Sequence, residues 1–153
     1  SWSDHVKVID TLLARKEIQI NQAANDGRTS LYMACGNGHV KVITALLSRK
    51  EIQINQAGKD GHTPLYSACQ NNHLKVVHAL LARKEIQINQ ADNEGATPLF
   101  AACHEGHVKV VKALLINKEI DINKEWKGKT PLACAIGEGH TEIAALLQQH
   151  GAK

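Results

Sequence analysis

The chain has 153 residues, 43% of them hydrophobic and 22% charged, with a formal net charge of +3 when histidine is neutral. That balance argues against intrinsic disorder, and so small a charge does not by itself call for a nucleic-acid partner. The longest apolar runs are a few residues, far short of the roughly 20 a membrane-spanning helix needs, and the first residues lack the charged, apolar and cleavage-site order of a signal peptide. Aromatic residues make up only 3%, so leucine, isoleucine, valine and alanine must fill the core.

In chain order, Ser3 or Asp4 can cap a first helix over residues 5–15, with Val6, Val8, Ile9, Leu12 and Leu13 giving it one buried side. The nonapeptide RKEIQINQA follows at Arg15, and its alternating Ile18 and Ile20 read as a short extended segment. It returns unaltered at Arg49 and Arg83 and drifts to NKEIDINK at Asn117. Verbatim copies in a connector point to recent duplication. Turns come next, at Asp26-Gly27, Asp60-Gly61, Glu94-Gly95 and Lys127-Gly128, where glycine supplies the positive φ of a tight turn. A short helix of about eight residues then opens at each of Thr29, Thr63, Thr97 and Thr130. Threonine is its N-cap, and Pro64, Pro98 and Pro131 are its first helical residues, with Ser30 standing in once. These helices stop at Gly38, Gly106 and Gly139, and at Asn72, which is the next best residue for a left-handed helix end. His39, His73, His107 and His140 begin a second, longer helix whose inner face reads V-x-V/I-V/I-x-x-L-L.

The unit TPLYSACQNNHLKVVHALL, at 63–81, thus occurs nearly whole four times, at threonine spacings of 34, 34 and 33 residues, and its second half occurs once more from His5. Self-similarity at this period marks a repeat array, in which each unit packs only on its neighbours. The pattern D-x-x-G-x-T-P-L-x-x-A-x-x-x-G-H-x-x-V-V-x-x-L-L resembles the ankyrin repeat, most fully from Asp92 through Leu115. The resemblance covers essentially the whole chain. It implies an all-α solenoid of stacked helix-turn-helix units with short β-hairpin turns: one N-terminal half-repeat plus four full repeats. The array is expected to be a single domain over 1–153, with units at about 1–23 (partial), 24–57, 58–91, 92–124 and 125–153. The incomplete first unit is expected to reflect a longer array trimmed at its start rather than an end covered by Trp2. Glu142, Gln148 and Gln149 are consistent with a polar C-terminal cap. One departure is that the histidine usual after T-P-L is Tyr32, Tyr66, Phe100 and Ala133 here. Its customary bond to the capping threonine is therefore not assumed.

Catalytic and metal chemistry find little support. Zinc ligands must converge within about 2 Å of one ion, which histidines one per unit cannot do. Each is expected to bind backbone at the inter-helix link, while His62, His78, His104 and His150 are scattered surface positions. Cys35, Cys69 and Cys103 share one repeat position. Stacked helices lie about 8–10 Å apart, whereas a disulfide needs Cα atoms within about 7 Å. Free core thiols are therefore expected, for Cys134 also, and they suit a reducing, intracellular and cytoplasmic setting. No G-x-S-x-G, P-loop or G-x-G-x-x-G occurs, and Asp60 and Glu94 are turn residues on different rungs rather than an acid/base couple. The expectation is a chain that is not an enzyme and takes no cofactor, metal or small-molecule substrate.

The informative positions are those where the copies disagree. They fall at the turn tips, at the ends of the first helices, and at Met33 with its equivalents Ser67, Ala101 and Cys134. In chains that look like this one, turn tips and first helices line a concave groove that grips partners. The resemblance therefore implies a binding surface of Asn25, Arg28, Tyr32 and Met33 from one unit and Lys59, His62, Tyr66 and Gln70 from the next. Asn93, Ala96, Phe100, His104 and Trp126 complete it. That surface is expected to be long and shallow, suiting another protein better than a metabolite. Alanine at Arg28, His62 and Trp126 is expected to spare the unfolding transition. The chain is taken as a monomer, with nucleic acid and membrane as disfavoured partners. A polyanion site is conceivable along Lys7, Lys41, Lys75 and Lys109 with the Arg-Lys pairs at 15, 49 and 83. The glutamates that follow those pairs, and the lack of aromatic platforms, favour a solvated face instead. The same residues also admit a structural or engineered scaffold with no partner, or a substrate of asparagine hydroxylases at Asn21, Asn55, Asn89 and Asn123.

Overall fold

The computed structural model describes residues 19–153. The helix expected over residues 5–15, with Lys7 and Trp2, lies outside the described residues. Eight helices occur among the described residues. They alternate between a seven-residue first helix (α1 Ser30–Gly36, α3 Pro64–Gln70, α5 Pro98–His104, α7 Pro131–Gly137) and a longer second one (α2 Val40–Leu47, α4 Leu74–Leu81, α6 Val108–Leu115, α8 Thr141–Gln149). Each first helix packs on its own second helix and on the next first helix, and successive second helices also touch. The result is an all-α solenoid. No helix among the described residues is long and apolar enough to cross a membrane.

Local chemistry starts and stops the helices as the sequence dictates. Thr29, Thr63, Thr97 and Thr130 each accept, through Oγ1, the backbone N–H three residues on, at 3.0–3.2 Å. Such a cap satisfies one of the amides a helix start leaves over. Pro64, Pro98 and Pro131 sit at the first helical position, where a missing N–H costs nothing. The expected hairpins are reduced to turns. Among the described residues only the isolated antiparallel bridges Ala23–Thr29 and Trp126–Lys129 have strand character. The turns are nevertheless tied to each other, since Lys59 N–H donates to Asp26 O (2.9 Å) and Asn93 N–H to Asp60 O (3.2 Å).

The core is a line of aliphatic side chains running through the units. Leu31, Leu65 and Leu99 recur on the first helices and Ile43, Val77, Val111 and Ile143 on the second, all essentially inaccessible. Cys35, Cys69, Cys103 and Cys134 are buried free thiols. Burial pushes the Cys35 thiol up to about 12 and is the largest cause driving Cys69 and Cys103 further in the same direction, so these are protonated, inert packing groups.

Two side-chain ladders join the units, and both extend what the sequence implied. The histidines at the starts of the second helices do bind backbone, but across the unit boundary. Nε2 of His73, His107 and His140 lies 2.9, 2.9 and 3.0 Å from the carbonyls of Gly36, Gln70 and His104 in the preceding unit. Nε2 therefore carries the donated proton. Gly106 makes room for this arrangement. Its φ is +76°, and a Cβ there would stand 2.6 Å from Cε1 of His140. Gly106→Ala is thus expected to lower the unfolding free energy by about 2 kcal/mol, combining left-handed strain with displacement of the imidazole. Urea denaturation measures it, and a change below about 0.5 kcal/mol would refute the steric role.

The second ladder gives the copied connector a physical purpose. The Asn55 carboxamide donates to Glu85 O (2.7 Å) and accepts from Gln87 N–H (2.9 Å), while Ile54 beside it is buried. Asn21 makes the same pair with Glu51 and Gln53, and Asn89 with Glu119 and Asp121. Asn123 accepts from Lys153 N–H at 2.9 Å. The carboxamides of Asn21, Asn55 and Asn89 strap each unit to the next through both oxygen and nitrogen. Asn89→Ala removes two such bonds, with an expected cost of about 1–2 kcal/mol. An unchanged urea midpoint would contradict the strap.

Candidate functional site

The first helices and turn tips share one side of the solenoid. On that side the side chains at the place of the missing histidine, Tyr32, Tyr66 and Phe100, are buried but for an edge and form a floor. Their backbone amides serve the threonine caps, so the rings are not needed for capping. At Trp126 the fourth turn adds a wall. Its indole meets Phe100 with ring centroids 5.1 Å apart and planes tilted by 59°.

Charged side chains bridge the turn tips from unit to unit. Asp26, Asp60 and Asp92 each use Oδ1 to hold their own turn, accepting from the amides of Arg28 (3.0 Å), His62 (3.0 Å) and Ala96 (2.8 Å). The second oxygens reach sideways. Arg28 Nη2 lies 3.2 Å from Asp60 Oδ2, and the guanidinium stands over the Tyr32 ring at 5.1 Å. His62 sits between two carboxylates, with Nδ1 3.4 Å from Asp60 Oδ2 and Nε2 3.3 Å from Asp92 Oδ2. Its ring stacks on Tyr66 at 4.1 Å and 12°. Burial acts to raise the Asp60 carboxyl, yet the hydrogen bonds from the His62 amide and Arg28 outweigh it and hold the group below its ordinary value. A depressed carboxyl stabilises the fold above the unfolded pKa, and that contribution is lost as pH falls through the folded one.

The groove contains two adjoining depressions, of about 530 and 320 Å3, which share Asp60, His62 and Gln70. The larger takes in Tyr66, Asn93, Ala96, Phe100, His104 and Trp126 of the expected surface. Arg28, Tyr32 and Met33 line the smaller. Asn25 and Lys59 line neither and stand exposed on the turns or at their edge. Met33 is 49% exposed, whereas its equivalents Ser67, Ala101 and Cys134 are buried. His62 and His104, expected in the binding surface, line the larger depression. Sequence reasoning missed the acidic lining of Asp60, Asp92, Glu94 and Glu105. Only the recurrence of acids at the turn tips hinted at it.

Among the described residues no group of three or more histidine, cysteine, aspartate or glutamate side chains is placed to hold a metal ion. On the opposite face Lys41, Lys75 and Lys109 are exposed, while Arg49 pairs with Glu51 and Arg83 with Glu85.

A family model described as ankyrin repeats (three copies) matches residues 1–92 and 85–153. A comparison with curated proteins gives no match. Ankyrin repeats are in general protein–protein interaction modules, and the family is typically non-catalytic. With its family match over the whole length, its capped helix pairs and its unit-to-unit ladders, the chain belongs to the ankyrin-repeat family.

Proposed function

We propose that this chain is a non-catalytic recognition module that docks another protein in the concave groove between Met33 and Trp126. The observation that carries this reading is the division of labour between the repeats. Residues that hold the stack, such as the capping threonines and strapping asparagines, are the same from unit to unit. Residues that line the two depressions, such as Arg28, His62 and Ala96 at one repeat position, differ. A groove fixed by cross-unit bonds loses little conformational freedom on binding, so modest contacts suffice. Among the described residues, the pairing of Arg49 and Arg83 with glutamates offsets part of the positive charge near the second helices, which weakens a polyanion reading.

The test is amide hydrogen exchange on the chain with and without a partner isolated by affinity capture. Protection is expected over 25–36, 59–70 and 93–105. Protection confined to α2, α4 and α6, lost steeply with added salt, would contradict the groove.

A further inference from the structure

The larger depression has a chemistry of its own. Four carboxylates line it, from Asp60, Asp92, Glu94 and Glu105, and neither lysine nor arginine does. Two of them are answered by cations at the rim, Asp60 by Arg28 and Glu94 by Lys127 (2.7 Å). Asp92 and Glu105 have histidines beside them, His62 at 3.3 Å and His104 at 3.2 Å. With those histidines neutral, the lining holds an excess of negative charge in a chain whose net charge is +3. The lysines of the second helices lie on the far side. Between the carboxylates are aromatic rings: the parallel His62–Tyr66 stack, in which Tyr66 shows only an edge, and the tilted Phe100–Trp126 pair, with the Lys127 ammonium over the indole. The indole N–H of Trp126 is buried and has no acceptor. Burial, followed by the charges of the same four carboxylates, pushes the Tyr66 hydroxyl up to about 12.

We infer that this depression receives an arginine side chain of the docked protein. The inference rests on the groove being the binding surface and names what its centre recognises. A guanidinium is planar and carries in-plane N–H groups, so it can enter beside the partly exposed His62 and Trp126 rings and donate to Glu105, while the largely buried Asp92 adds its charge from below. An ammonium meets the charge but has no planar surface to pack beside the rings. A cavity of about 530 Å3 admits the side chain with part of its own backbone. Buried arginines flanked by aromatic groups are the kind of anchor that concentrates binding energy at interfaces.

The probe is a capped Gly-Arg-Gly peptide titrated into the full chain and followed by the side-chain resonances of Tyr66, Phe100 and Trp126. Its citrulline counterpart, of the same shape without the charge, is the control. The arginine peptide should shift those resonances saturably, with a dissociation constant in the millimolar range expected for so small a ligand, about 1 mM. The citrulline peptide should bind at least about tenfold more weakly. Asp92→Asn with Glu105→Gln should weaken the arginine peptide about tenfold and leave the citrulline peptide unchanged. Asparagine at position 92 keeps an oxygen for the turn amides. Glu105→Gln alone, on an exposed side chain, gives a second variant with an expected weakening of about threefold. Equal binding of the two peptides, or variants that bind the arginine peptide as the wild type does, would overturn the inference. If a captured partner still protects the groove in those variants with undiminished affinity, the groove stands and the arginine assignment falls.

Discussion

Leu99→Ala should lower the unfolding free energy by about 3–4 kcal/mol, the largest loss expected from any single change considered for this chain. Leu99 is wholly inaccessible near the start of α5, in the core line between the equivalent leucines Leu65 and Leu132. Truncation removes three carbons that water never sees and leaves a cavity between helices of neighbouring units, which cannot close without shifting both. The loss is a large share of the roughly 5–15 kcal/mol that ordinarily holds a domain folded. Met33→Ala, at an exposed position on the groove, should change stability by less than about 0.5 kcal/mol. Urea melts of the two variants make the comparison, and a Leu99→Ala cost below about 1 kcal/mol would mean that the stack is not close-packed there.

Replacing Arg28, His62 and Trp126 together by alanine should weaken partner binding by at least about 100-fold. The three residues span both depressions, and arginine and tryptophan are the side chains that most often carry interface energy. The effect on folding will not be nil. Trp126 packs against a small buried cluster of Tyr66, Ala96, Phe100, Ala101 and Cys134, so the variant should also lose about 1–2 kcal/mol of stability, mostly through Trp126. The expectation that removing all three leaves the unfolding transition nearly unchanged is therefore revised at Trp126. Affinity measured well below the unfolding midpoint separates the two effects.

The architecture was legible because its determinants are local. Threonine before proline, glycine or asparagine before histidine, and the spacing of leucines each act within a few residues, and the period repeats them until they cannot be missed. What lay beyond reach acts between units. Nothing in the neighbourhood of Asn55 says that its carboxamide closes on Glu85 and Gln87. The verbatim connector read as a trace of duplication, although its asparagine is a strap. His62 likewise reads as one more residue of the binding surface, with nothing to show that it sits between two carboxylates, since Asp92, which flanks it, belongs to the next unit. Asp92 follows the family pattern, but the preceding unit has Gly58 at that place, so this acid has no counterpart in the unit that carries His62. The acidic, aromatic centre of the groove is assembled from three units and has no sequence signature.

One titration bears most directly on where this chain meets its partner: the captured protein titrated against the groove variant and, alongside it, against Lys41→Glu with Lys75→Glu and Lys109→Glu on the outer face. Docking in the groove requires the first to lose at least about 100-fold in affinity and the second to stay within about threefold of the wild type. The reverse order, with the lysine variant crippled and the groove variant intact, would contradict it.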